Sequence, residues 1–130
     1  TIIRLADWFG IQNIICSEAT VDVYNPKVIQ STMGSIARVN VLYCDLKKEL
    51  LSAKVPVYGT LLEGKNIYSE KLIQPAIIVL GNESNGISEE IQKLITHKIT
   101  IPRFGTLQQT ESLNVATATA IVLSEFCRGN

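Results

Sequence analysis

Apolar positions along this chain switch repeatedly between a period of about 3.6 residues and a period of about 2, as they do where helices alternate with strands. Ile2 to Phe9 carries Ile2, Leu5, Ala6 and Phe9 on one helical face, and Gly10 follows as a stop. Gln12 to Ser17 is a short β-rich run that reads as a buried strand. Tyr24-Asn25-Pro26 opens a helix running to about Met33, with Asn25 as N-cap and Pro26 in the first helical position. Val39 to Cys44 predicts a strand. Asp45 then caps a helix through about Ala53, with Leu46, Leu50 and Leu51 facing inward. Val55 to Leu61 predicts another strand, and the polar stretch Glu63 to Gln74 an exposed loop or short helix. Ala76 to Leu80, bounded by Pro75 and Gly81, is continuously apolar and reads as a central parallel strand. Ser88-Glu89-Glu90 starts a helix whose core stripe is Ile87, Ile91, Leu94 and Ile95, and Lys98 to Ile101 forms the last strand. The C-terminal helix has two apolar stripes, Leu113, Ala116, Ala120 and Leu123, and Val115, Ala118, Val122 and Phe126. It is therefore expected to be buried on two sides. The small residues of Ala116 to Ala120 allow close approach, and Ser112 and Asn114 sit at its positive end.

This alternation predicts an α/β domain, residues 1–130, with a mostly parallel sheet flanked by helices. The chain opens inside what reads as a helix start, so the domain is expected to be N-terminally incomplete. Hydrophobic residues make up 46% and charged residues 18%, with formal net charge zero. The domain as a whole does not advertise a polyanionic partner, although a local basic patch is compatible with this balance. Cys16, Cys44 and Cys127 are odd in number and flanked by apolar residues, as expected for buried reduced thiols. His97 is the only histidine and no metal-ligand spacing occurs. No signal peptide or bilayer-spanning apolar run is present, which predicts no membrane association and a cytoplasmic setting.

In open parallel sheets, ligands sit beyond the carboxyl ends of the strands. Three such ends carry small or polar residues: Gly59-Thr60, Gly81 to Gly86, and Pro102 onward. Ile87-Ser88 stands where a P-loop requires Lys-Ser/Thr, and Glu83 inside the loop would repel a phosphate. The same glycines also suit a tight βα turn without function. A single His supports no Ser/His/Asp arrangement. Glu89 and Glu90 read as first-turn capping acids. Arg4, in the first turn of its helix, reads from position alone as a solvated surface residue.

Leu80–Ser88 (LGNESNGIS) followed by Ile101–Phe126 (IPRFG…SLNVATATAIVLSEF) resembles motifs 2 and 3 of the SpoU/TrmH family. These are S-adenosylmethionine-dependent RNA ribose 2′-O-methyltransferases of the SPOUT superfamily. Thr1–Arg4 resembles the tail of motif 1, N-x-G-x-x-x-R, and Val21–Val39 is also similar to the family. The resemblance implies a SPOUT-type sheet with a C-terminal trefoil knot, and a homodimer packed through the knot region. It implies tRNA or rRNA as substrate and S-adenosyl-L-methionine as cofactor, with no metal required. Donor binding would fall on Thr60, Leu61, Leu80, Gly81, Gly86, Ile101 and Leu113, with Gly81 and Gly86 letting the backbone approach the ligand. Catalysis would fall on Arg4, Glu83, Ser112 and Asn114. Arg4 would stabilise the developing oxyanion and contact phosphate, Glu83 would orient loop amides or an arginine, and Ser112 and Asn114 would position Arg4, ribose or donor. The Asn and Gly of motif 1 would precede Thr1, and the loop Arg103 to Glu111 is longer than the common family form. These departures define the alternative, a catalytically impaired or non-catalytic domain that binds S-adenosylmethionine or RNA.

Overall fold

A computed structural model describes residues 1–16, 39–81, 86–105 and 113–128. It divides into two compact units, Thr1–Glu49 and Leu50–Asn130.

In the first unit, helix α1 spans Ile2–Trp8. Ile3 and Ala6 are its buried residues and meet Val39, with Ile11, Ile14 and Val41 packed around them. The expected face of Ile2, Leu5, Ala6 and Phe9 is thus shifted: Ile3 takes the deepest place, and Ile2, Leu5 and Phe9 are half-buried. Gly10 adopts φ of 75°, and the next amide, of Ile11, donates to the Ala6 carbonyl at 2.7 Å. That left-handed conformation suits glycine and turns the chain out of the helix. Strands β1 (Asn13–Cys16) and β2 (Asn40–Tyr43) pair in parallel, Asn13 opposite Asn40 and Cys16 opposite Tyr43. The helix predicted from Asn25 lies outside the described residues.

Helix α2, Leu46–Leu51, starts where Asp45 Oδ1 accepts the Lys47 amide at 3.1 Å. It ends before Ala53, and Leu51 is 64% exposed rather than inward-facing. Leu46 and Leu50 share a face at i, i+4, and Leu51 falls about 100° away from it.

The second unit contains three parallel strands in the order β4-β3-β5: β3 is Val57–Asn66, β4 Ile77–Val79 and β5 His97–Thr100. Among the described residues, therefore, β3 is central and β4, expected to be central, is at the edge. A continuous apolar run reports cover on both faces of a strand, not neighbours on both edges. The polar stretch after Glu63 is also different from expectation, since β3 continues to Asn66. Thr60 pairs with Ile99, residues 61–64 step out of the ladder, and Lys65 returns to pair with Ile99 again. Gly64 permits the return: a Cβ there would lie 2.8–2.9 Å from the Ile99 backbone. A short 3-10 turn, Ile67–Ser69, follows, its start held by Asn66 Oδ1 accepting the Tyr68 amide at 2.9 Å.

Helix α3 is one turn, Glu89–Gln92, with Ser88 Oγ accepting the Ile91 amide at 3.4 Å. Ile87 is buried beside it, whereas Ile91, Leu94 and Ile95 are half-buried. Helix α4 spans Val115–Cys127. Val122 and Phe126 join Tyr58, Ile67 and Ile99 in the core. Tyr58 meets Phe126 edge-on at 4.9 Å and His97 face-on at 4.8 Å, while its hydroxyl accepts the Ile73 amide at 3.0 Å. The fully buried residues of α4 are Thr119, Val122, Leu123 and Phe126, a single stripe at i, i+3, i+4, i+7. Thr119 escaped the apolar pattern because its hydroxyl is satisfied within the helix, donating to the Val115 carbonyl at 2.7 Å. Each expected stripe is therefore buried only in part: Ala116 and Ala120 of the first and Val115 and Ala118 of the second are half-buried, and Leu113 is exposed.

Candidate active site

The parallel register brings three strand ends to one end of the second sheet. Gly59 lies between Val79 and Lys98, and Thr60 lies opposite Ile99. Leu80-Gly81 and Ile101 leave their strands, and Thr60-Leu61 steps out of the ladder within β3, at the same end of the sheet, where open parallel sheets hold ligands. Thr60 Oγ1 donates to the Val79 carbonyl at 3.4 Å, tying two of these ends together. All five residues are half-buried.

Gly81 and Gly86 are glycines for different reasons. A Cβ on Gly81 would sit 2.7 Å from the Gly86 carbonyl carbon and 2.9 Å from the Ile87 nitrogen, so the chain crosses itself there. Gly86 has open space around it but adopts φ of 67°. Close approach within the chain and a left-handed backbone thus account for both glycines before any ligand is considered.

Asn114 sits at the N-terminus of α4 with an extended backbone. Its Oδ1 accepts the amides of Ala116 at 2.8 Å and Thr117 at 3.3 Å. Capping uses the oxygen and leaves the Nδ2 amide as a donor for other work. Leu113, just before it, is 48% exposed. Glu83 and Ser112 lie outside the described residues, as does the loop from 106 to 112. Arg4 belongs to the first unit, on α1, where it is exposed and in the first turn.

Pattern reading missed two exposed apolar side chains, Leu62 where β3 steps out of the ladder and Phe104 after β5. Partial burial, then Glu49 and Asp45, push the Cys44 thiol up, away from the thiolate. The hydrogen bonds and charge of Glu125 raise the Arg128 guanidinium further, through a two-pronged pair at 2.9 and 3.1 Å.

The SpoU rRNA Methylase family matches residues 1–124. The chain belongs to this family. It is 32% identical over 127 residues to the 23S rRNA (guanosine(2553)-2′-O)-methyltransferase RlmP of Bacillus subtilis, covering 95% of this chain and 50% of that protein. Among solved structures, a TrmH-family protein from Porphyromonas gingivalis is 43% identical, with a TM-score of 0.88 over 96% of this chain and 52% of that one. The AdoMet-bound rRNA methyltransferase from Sinorhizobium meliloti is 30% identical, with a TM-score of 0.88 over 98% of this chain and 50% of that one. The chain spans about half the length of the curated relatives it matches. The architecture is the α/β arrangement of parallel sheets flanked by helices found in SpoU structures. No helix among the described residues is long and apolar enough to cross a membrane.

Proposed function

We propose that this SpoU domain transfers a methyl group from S-adenosyl-L-methionine to a ribose 2′-hydroxyl of rRNA or tRNA, in the cytoplasm. The observation that carries the reading is the family match over residues 1–124, which takes in the strand-end glycines and the capped start of α4. The named activities of the relatives favour an enzyme over a binding domain without turnover.

The strand ends fit the donor chemically. Leu80, Ile101 and Leu113 would supply apolar contacts, and the backbone of Thr60, Leu61, Gly81 and Gly86 would supply amides and carbonyls. The donor's sulfonium carries an already activated methyl group, so the chain has to orient and stabilise rather than activate. The 2′-oxygen bonds to the methyl carbon as the carbon–sulfur bond breaks, and the hydroxyl proton is released. Arg4 would stabilise the charge developing on that oxygen and contact phosphate, since a guanidinium is a poor base. The Asn114 Nδ2 donor and Ser112 would position ribose, donor or Arg4, and Glu83 would orient loop amides or an arginine. The surface of α4 left half-buried, at Ala116 and Ala120 among others, would be covered by a second copy of the chain, with the C-terminal segment passing through a trefoil knot.

Calorimetry on the full-length protein tests the donor, and methyl transfer to bulk rRNA and tRNA tests the reaction. Arg4→Ala is expected to keep donor binding and lose transfer by about 100-fold or more. Absence of donor binding by folded protein, or an active Arg4→Ala, overturns the corresponding part of the reading.

A further inference from the structure

Trp8 is the single tryptophan of the 130 residues and is 84% exposed, at the last position of α1. Arg4 precedes it by four residues. Side chains at i and i+4 are neighbours on a helix, with Cβ atoms about 5–6 Å apart. Thr1, Arg4 and Trp8 are exposed along one side, whereas Ile3 and Ala6 are buried on the other. Among the described residues Arg4 forms no ion pair. Asp7, on the flank of this face, is half-buried and already engaged in a contact. The helix therefore presents an available cation and a broad aromatic face side by side.

We infer that Trp8 is a stacking platform for an unpaired base of the RNA substrate, beside the nucleotide held by Arg4. The inference rests on the methyltransferase reading above. The domain balances 12 Lys and Arg with 12 Asp and Glu and so lacks the cationic surplus that usually supplies RNA affinity, which leaves a contact of another kind to contribute. Stacking on an aromatic face is largely independent of charge and accepts any base. Bases free to stack occur in single strands, loops and bulges, not within A-form duplex. Trp8 thus favours an unpaired target and leaves the choice of sequence to other parts of the protein.

The test uses the full-length protein with a mixed-sequence single-stranded oligoribonucleotide and a duplex containing the same strand. Trp8→Ala is expected to weaken single-strand binding about tenfold while Trp8→Phe retains most of it. The duplex is expected to respond less. Fluorescence quenching on adding single strand should appear in wild type, and the part contributed by Trp8 should be lost in Trp8→Phe. S-adenosylmethionine binding, equal in all three proteins, certifies that the variants fold. Single-strand affinity of Trp8→Ala within about twofold of wild type overturns the inference. So does a change of oligomer mass in Trp8→Ala with RNA affinity unchanged, which makes Trp8 a protein contact. Wild-type protein that transfers no methyl group overturns the function proposed above, while stacking is read from binding alone.

Discussion

Gly81 and Gly59 are both crowded, but by different kinds of neighbour. A Cβ on Gly81 meets backbone atoms of Gly86 and Ile87, which cannot rotate away. A Cβ on Gly59 meets the Ile95 side chain, which can be shortened. Both substitutions to Ala overfill the structure, and Gly81→Ala is expected to cost about 2–3 kcal/mol by urea denaturation. Measured against Ile95→Ala alone, Gly59→Ala should be nearly neutral in the double variant, because the clash has been removed. No side-chain truncation is expected to rescue Gly81→Ala. Neutral behaviour of Gly81→Ala would show that the chain crossing is looser than the backbone contact implies. Both constraints were invisible in the sequence: a glycine between apolar residues does not reveal which atom lies above it.

At the scale of the element, α4 carries two demands at its first turn. Asn114 must cap the helix through Oδ1, and in the proposed reaction it must donate through Nδ2. Asn114→Asp keeps the acceptor and removes the donor, whereas Asn114→Ala removes both. Asp should hold thermal stability near wild type, and Ala should lower it by about 1 kcal/mol. If the Nδ2 donor acts in the reaction, transfer falls in both variants. Full activity in Asn114→Asp assigns this residue to capping alone. The helix itself was legible from its apolar spacing and small residues. Its actual buried stripe was less so, because Thr119 satisfies its own hydroxyl and passes as apolar.

At the scale of the whole molecule, exposed and half-buried apolar surface remains on the second unit. Leu62, Phe104 and Leu113 are exposed, and Val115, Ala116, Ala118 and Ala120 are half-buried. A second copy packed on the C-terminal region would cover surface of this kind. Light scattering on the full-length protein is expected to give the mass of a dimer at micromolar concentration. A monomer under those conditions removes the homodimer from the proposal and leaves the donor-binding strand ends unaffected.

Local sequence was enough for the alternation of helices and strands, the caps at Asp45 and Ser88, the polar start of the last helix, and the family signature in Leu80–Ser88 and Ile101–Phe126. These are local features: spacing, a capping side chain, or a run of residue types lies within a few positions. Tertiary structure decided that, among the described residues, β3 is central and β4 at the edge, that β3 leaves and rejoins β5 at Ile99, and that Gly81 crowds against Gly86. It also decided that Ile67, in a largely polar stretch, fills the core while Leu51 and Trp8 face water. Each of these depends on a neighbour far along the chain, and hydrophobicity records the need for cover without naming what provides it.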